Sequence, residues 1–534
     1  MNFKKLILFH FILIFAGACK EDVSDRQPSS LKEQFPKEHL NPLARYGPLL
    51  VEVQMQHVFP DGKTFVDCIP KIAADSILKL YAEQREKPGF DLKAFVLQHF
   101  NTPEKNTERF QADTTRTVTE HINALWPFLK READEKAPGS RIALPNPYII
   151  PGGRFREVYY WDSYFILLGL KASGEIQLME NIIDNFAYQI NTFGYIPNGN
   201  RTYYMGRSQP PFFAEMVNLL AETKEDEAVL QKYLPALHKE YNFWMESAES
   251  VTAGEAQERV VKLDTSSVLN RYWSDTATPR AESYREDVLT AQAANLRDEN
   301  EIYRNICAAC ESGWDFSSRW FDDPEDLSSI QTTHIIPIDL NVLLYNLEKT
   351  LASAEKLSGN SEAERKYLAC AEKRKAAMNT YLWNETEGHY HDYNFVTGKP
   401  SETLSLAMVF PLFFDLATQE QAEKTNKVLE SQFLKPGGLV TTNIENGQQW
   451  DSPNGWPPHQ WMAIRGLQSY GLNDLANEIK HRWLTLNESV YRRTGKMLEK
   501  YNVIDTTLKA GGGEYPTQDG FGWTNGVYLD LKTN

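Results

Sequence analysis

From about Thr115 to the C-terminus, apolar residues recur every three or four positions, the period of an α-helix with one buried face. The pattern predicts helical runs at about 115–131, 157–173, 177–193, 209–223, 225–247, 287–311, 337–359, 360–384, 401–417, 419–433, 456–471 and 472–494. Gly174, Gly194, Gly359, Gly471 and Gly495 fall at or just past run ends, where a left-handed C-cap suits glycine. Several runs are neighbours joined by short links, and short links make antiparallel helix pairs. About twelve helices in consecutive pairs fit an all-α toroid, an (α/α)6 barrel of inner and outer helices. No fixed sequence period marks a solenoid instead.

Upstream the pattern changes. Leu49 to Cys68 mixes β-branched residues with the turn signal Pro60-Asp61-Gly62, which predicts a short extended N-terminal segment. Residues 1–18 read as an export signal: Lys4-Lys5, then the apolar stretch Leu6 to Phe15, then the small residues Ala16-Gly17-Ala18. The apolar stretch is too short for an ordinary transmembrane helix. Cys19 follows directly and is a candidate for lipidation, as in bacterial lipoproteins. This would place the protein in the periplasm, lipid-anchored to the outer membrane; cleavage after Ala18 to a soluble protein is the alternative. Residues 19–42 form a polar tether, and 43–534 are expected to be one folded domain.

The 534 residues are 42% hydrophobic, ample for a large core. A net charge of -16 argues against nucleic acid or an anionic membrane surface as a partner. Five cysteines are too few for a disulfide framework. Cys307-Ala308-Ala309-Cys310 has no second pair to complete a zinc site and is read as buried packing. His389-Tyr390-His391-Asp392 has no third ligand at a convincing spacing. Neither a metal nor a cofactor is expected, and no nucleophile elbow, Walker loop or dinucleotide fingerprint occurs.

The candidate chemistry falls in the links between helices. Asp315 lies between Trp314 and Phe316, after a glycine that breaks a helical run. Apolar rings beside a carboxyl raise its pKa, so Asp315 is a candidate general acid toward a glycosidic oxygen. The competing reading is a helix end with Asp315 capping a turn. Residues 151–164 offer Arg154 as a donor fork, Trp161 as a ring face and Asp162 as an acceptor, a set that suits a sugar. Glu157 there is read as favouring a helix N-terminus. Asn198, Arg207 and Gln209 sit in polar loops that could bind hydroxyls, and Arg280-Ala281-Glu282 adds a further cation beside an acid. Residues 449–458 pack two tryptophans and three prolines into one turn, fit to wall a pocket or to brace the fold. Glu499 follows a helix end at Gly495, and Gly511-Gly512-Gly513-Glu514 suits a loop that closes over a ligand.

Residues 151–164 and 449–458 match the two signatures of the trehalases. The stretch 311–320, the Arg280–Glu282 cluster and the glycine-rich tail ending Phe521-Gly522-Trp523-Thr524-Asn525-Gly526 are similar to that family too. The resemblance runs from about residue 40 to the C-terminus. It implies an (α/α)6 barrel, hydrolysis of α,α-trehalose to two glucose molecules with inversion, and no metal. It implies Asp315 as general acid and Glu499 as general base. Arg154, Trp161, Asp162, Asn198, Arg207, Ser208, Gln209, Arg280, Glu282, Gly313 and Glu514 match its substrate-contacting positions. Two positions depart from the family's pattern: Ala281 stands where proline is usual, and the glycine run before Glu514 is shorter, which bears on lid dynamics. The partner expected is a disaccharide, bound by a monomer. An (α/α)6 glucosidase for another α-glucoside and a non-catalytic sugar-binding lipoprotein are the competing readings.

Overall fold

The repeating unit is a helix buried along almost its whole length, followed by a helix buried on one face. In the computed structural model, which describes residues 41–103, 110–135, 139–295 and 297–533, Tyr160–Ala172 is followed by Ile176–Phe193. Phe213–Lys224 is followed by Ala228–Met245, Ile338–Leu357 by Ser361–Tyr381, and Pro457–Ser469 by Asn473–Thr494. Every residue from Tyr160 to Leu170 is buried. In the partner helix burial is confined to a stripe, Leu178, Met179, Ile182, Ile183, Phe186 and Ile190 among it. The first helices form the inner layer and the second helices the outer one, giving an all-α (α/α)6 barrel. Two expected C-caps are plain: Gly194 (φ 88°) donates its N–H to the Ile190 carbonyl, and Gly495 (φ 68°) to that of Tyr491.

Several runs differ from expectation. The run at 287–311 is two helices, Tyr284–Ala293 and Glu299–Glu311, the second opened by Asp298, whose carboxylate accepts the Asn300 N–H. The run at 401–417 shrinks to a 3-10 turn, Leu406–Val409, and one helical turn, Phe410–Phe413. A last helix, Gly522–Thr533, lies where the pattern predicts only a tail. It packs against Tyr160–Ala172 through Gly169 and Gly526: a Cβ on Gly169 would lie 2.6 Å from Gly526 Cα. The first and last inner helices thus meet where neither has a side chain, and the ring closes there.

The extended N-terminal segment is corrected. Pro42–Tyr46, Pro48–Met55, Lys63–Val66, Ala74–Gln84 and Leu92–His99 are helices, and the only strands among them and beside them are Ile69–Pro70 and Phe100–Asn101. Asn41 caps the first helix, and prolines occupy first helical positions, where their fixed φ is pre-organised. Leu49, Leu50 and Val53 are buried with Phe65, Phe95 and Phe100 in a second core that also takes in Tyr159, Tyr203 and Tyr204. That burial outweighs the β-propensity of the branched residues. Glu157 is corrected as well: it is fully buried, with Oε1 2.7 Å from Lys63 Nζ and Oε2 2.9 Å from Arg201 Nε. The export signal, Cys19 and the tether up to residue 40 lie outside the described residues.

Candidate active site

The links at one end of the barrel surround a pocket lined by charged and aromatic side chains. Its floor and first wall come from the start of the Tyr160–Ala172 helix. Trp161 and Asp162 occupy the first turn, and the Trp161 N–H donates to Gln209 Oε1 (3.1 Å). Gly313 must lack a side chain: it has φ +76°, and a Cβ there would lie 2.9 Å from the Trp161 ring. Arg154 is gripped by Asp61, with Nε–Oδ2 2.9 Å and Nη2–Oδ1 2.7 Å, and lies over the Tyr515 ring at 4.5 Å.

Asn198, Arg207 and Gln209 line the next wall. Arg207 Nη2 reaches Glu282 Oε1 at 2.7 Å. Ser208 is not on the wall: its hydroxyl donates to the Ile196 carbonyl (2.7 Å) and its N–H to Glu311 Oε1 (2.9 Å). It orders the backbone between Arg207 and Gln209 rather than facing the pocket. Arg280 does not pair with its neighbour Glu282. It binds Asp287 Oδ1 (2.6 Å) and Glu514 Oε1 (2.7 Å), and its guanidinium sits 5.2 Å from the centre of the Phe316 ring.

Asp315 and Glu499 both line the pocket. The loop carrying Asp315 is fixed by Asp451, which accepts from Ser317 Oγ (2.8 Å), the Ser318 N–H (2.7 Å) and Thr442 Oγ1 (2.8 Å). Asp451 therefore braces the site from behind. The 449–458 turn does both things expected of it: Trp450 and Trp456 stack at 3.8 Å and wall the pocket, while Pro457 opens a helix. Asn454–Gly455 pairs antiparallel with Tyr501–Asn502, which docks this turn beside the Glu499 loop. Glu499 Oε1 accepts from the Tyr515 hydroxyl (3.0 Å), and Oε2 lies 3.1 Å from Lys500 Nζ. The shortened glycine run lies against the same turn: Gly513 donates its N–H to the Gly447 carbonyl (3.2 Å). In the His389–Asp392 stretch, Asp392 is held by Arg319 (2.6 Å) and His389 by Glu387 (3.0 Å).

Residues 57–533 match the family model described as Trehalase. The chain belongs to the trehalase family. It is 47% identical over 528 residues to a periplasmic trehalase of Citrobacter koseri, covering 99% of this chain and 91% of that one. It is 49% identical over 486 residues to a periplasmic trehalase of Salmonella paratyphi A, covering 91% and 85%. Among solved structures it is similar to the neutral trehalase Nth1 of Saccharomyces cerevisiae, with TM-score 0.60, 27% identity, and 78% and 79% of the two chains covered. The fold is also that of a GH63 mannosylglycerate hydrolase from Thermus thermophilus, at TM-score 0.54 and 17% identity, covering 78% of this chain and all of that one.

The electrostatics of this trehalase-family pocket turn on how its cations are balanced. Arg154, Arg207 and Arg280 would together hold any nearby carboxyl ionised, yet each already faces a carboxylate: Asp61, Glu282, and Asp287 with Glu514. Burial therefore prevails at Asp315. It pushes the carboxyl up to about 7; Arg280 and Arg207 pull it down, and Glu514 pushes it further up. Asp162 is raised well above the usual carboxylate range, first by burial and then by the charges of Glu499 and Asp315. The pocket also holds groups that spacing does not reveal: Lys63 from the N-terminal helices, and Phe155, Tyr159, Tyr204 and Tyr515. Asp61 lies in the Pro60-Asp61-Gly62 turn, but only the folded chain brings that turn to Arg154.

Proposed function

We propose that the protein hydrolyses α,α-trehalose to two glucose molecules with inversion at the attacked carbon. Asp315 gives its proton to the glycosidic oxygen as the C–O bond breaks. Glu499 takes a proton from a water that attacks the anomeric carbon from the opposite face. The attacked glucose leaves as the β anomer and the other as the α anomer. In an inverting enzyme the two carboxyls stand about 6.5–9.5 Å apart, so that this water fits between base and sugar. Arg154, Trp161, Asp162, Asn198, Arg207, Gln209, Arg280, Glu282 and Glu514 bind the two sugars, and Gly313 makes room for the Trp161 ring. The names of the periplasmic relatives support an exported protein acting in the periplasm, and residues 43–534 are read as its catalytic domain.

The observation that carries this reading is a pair of carboxyls in one pocket with unlike surroundings. Asp315 is pushed up to about 7 by burial, as a general acid working near neutrality requires. Glu499 sits against Lys500 and Tyr515. Other carboxyls fit less well. Glu514 is tied to Arg280 and Ser283, and Asp451 lies behind the wall.

The test is direct. Asp315→Asn and Glu499→Gln should each fold normally and lose roughly a hundredfold or more in kcat on trehalose. Full activity in either removes its role. Proton spectra of the first turnovers should show α- and β-glucose in equal amounts; α-glucose alone would mean retention. Maltose and kojibiose, incubated in parallel, should release little glucose. Comparable release would mean a broader α-glucosidase.

A further inference from the structure

The proposed acid and base belong to loops far apart in sequence, and the backbone of the 449–458 turn docks on both. A chain of side-chain contacts also runs directly between them. Gln449 Nε2 donates to the backbone carbonyl of Asp315. Gln449 Oε1 accepts from Lys500 Nζ at 2.9 Å, and the same Nζ lies 3.1 Å from Glu499 Oε2. We propose that Gln449 and Lys500 are positioning residues, a strut that sets the spacing between the two catalytic carboxyls. This rests on the assignment of Asp315 and Glu499 just made.

Several features suit a strut better than a chance polar contact. Gln449, Lys500 and Glu499 are all buried. A primary amide offers a donor and an acceptor on one rigid plane, so one residue can face a carbonyl and an ammonium at once. The Gln449 backbone is pinned as well: its carbonyl accepts from Trp456 Nε1 (3.0 Å) and Asn454 Nδ2 (3.0 Å). Its side chain is backed by Gly513, where a Cβ would lie 2.9 Å from Gln449 Cδ. Lys500 Nζ sits over the rings of Trp456 (4.8 Å) and Tyr515 (5.2 Å), so the buried ammonium is held on several sides.

The chemistry gives such a strut a purpose. Inversion needs one water between base and anomeric carbon while the acid touches the far oxygen. A misplacement of about 1 Å in such a geometry can cost on the order of a hundredfold in rate. The strut also places the shortened glycine run in context, since that run packs on the amide that spans the site.

Gln449→Met keeps the length and removes both hydrogen bonds; Gln449→Asn keeps the amide but is too short to span. Both should lower kcat on trehalose by about 10- to 100-fold while KM stays within about twofold. The alkaline limb of the pH profile should stay near that of the wild type, because the charges that set Asp315 are Arg280, Glu514 and Arg207. Thermal melting, run alongside, separates positioning from stability. A kcat within twofold of wild type in either folded variant overturns the strut. If the Gln449 variants do not fold, Lys500→Met tests the other end with the same expected loss. Failure of all three to fold would make the pair a packing element and overturn the proposal too. Asp315→Asn and Glu499→Gln serve as controls. If either stays active, the acid–base assignment fails and the strut falls with it; if both are inactive while Gln449→Met is not, only the strut fails.

Discussion

A carboxyl that must donate a proton near neutral pH cannot sit among free cations. The pocket solves this with second carboxylates: Asp61 on Arg154, Glu282 on Arg207, Asp287 and Glu514 on Arg280. Glu514 acts twice, since it balances Arg280 and its own charge pushes Asp315 up. Glu514→Gln removes that charge and leaves Arg280 less compensated, and both changes favour the ionised Asp315. The alkaline limb of kcat/KM should start near pH 7 in the wild type and move to lower pH in Glu514→Gln, measured with trehalose across pH 5–9. An unmoved limb would mean that Asp315 does not set it. Of the groups that line the pocket, Arg154, Trp161 and Asp162 were readable from the sequence, because an arginine, a tryptophan and an acid in one loop are unusual together. The partners were not. Asp61 lies 93 residues from Arg154 and is an ordinary turn residue until the chain folds. Ser208 shows the opposite case: the motif would put it at the site, but its hydroxyl turns to the Ile196 carbonyl.

Helices were legible where a long amphipathic stripe is their cause and illegible where something else is. Ile176–Phe193 and Asn473–Thr494 carry such stripes and both end at a left-handed glycine, as the spacing predicts. Of the helices from Pro42 to His99, the first two start at prolines, Asn41 caps the first and Asp91 the last, and a separate aromatic core holds them. Neither cause leaves a period in so short a run. The last helix was hidden by Gly522 and Gly526, residues that lower helix propensity by about 1 kcal/mol each relative to alanine. Their reason is tertiary. A Cβ on Gly526 would lie 2.9 Å from the Phe165 carbonyl carbon, in the backbone of the first inner helix. Gly526→Ala therefore sets about 1 kcal/mol of gained propensity against about 1–3 kcal/mol or more of overpacking. The overpacking should win, because backbone cannot rotate away as a side chain can. Gly526→Ala should melt below the wild type in a thermal scan, with kcat nearly intact well below its melting point. A melting point equal to or above that of the wild type would mean that the ring does not close through this crossing.

Across the whole molecule, burial raises carboxyls that have no part in the pocket. Glu215 is pushed up to about 7 by burial, against hydrogen bonds from Asn346 (3.1 Å), Asn218 and Tyr164. Glu240 is pushed up to about 8, with one oxygen bonded to the Tyr160 hydroxyl and the other without a partner among the described residues. Both lie above the ordinary glutamate value of 4.5, so the folded chain binds these protons more tightly than the unfolded one. The stability they contribute is complete below about pH 4.5 and is lost as pH rises through 7 and 8, because ionising them then costs free energy only in the folded state. The acid that serves the reaction follows the same rule, since Asp315 too is raised by burial. Between pH 6 and pH 9 the protein should therefore lose activity, through Asp315, and melting temperature, through Asp315, Glu215 and Glu240 together. The share of Glu240 in the second loss can be separated from the first. Glu240→Gln keeps an acceptor for the Tyr160 hydroxyl and cannot ionise. Its melting temperature should fall by about a few degrees less than that of the wild type from pH 6 to pH 9, while its alkaline activity limb stays where it was. Equal slopes of melting temperature against pH in the two proteins would remove Glu240 as a source of the pH dependence.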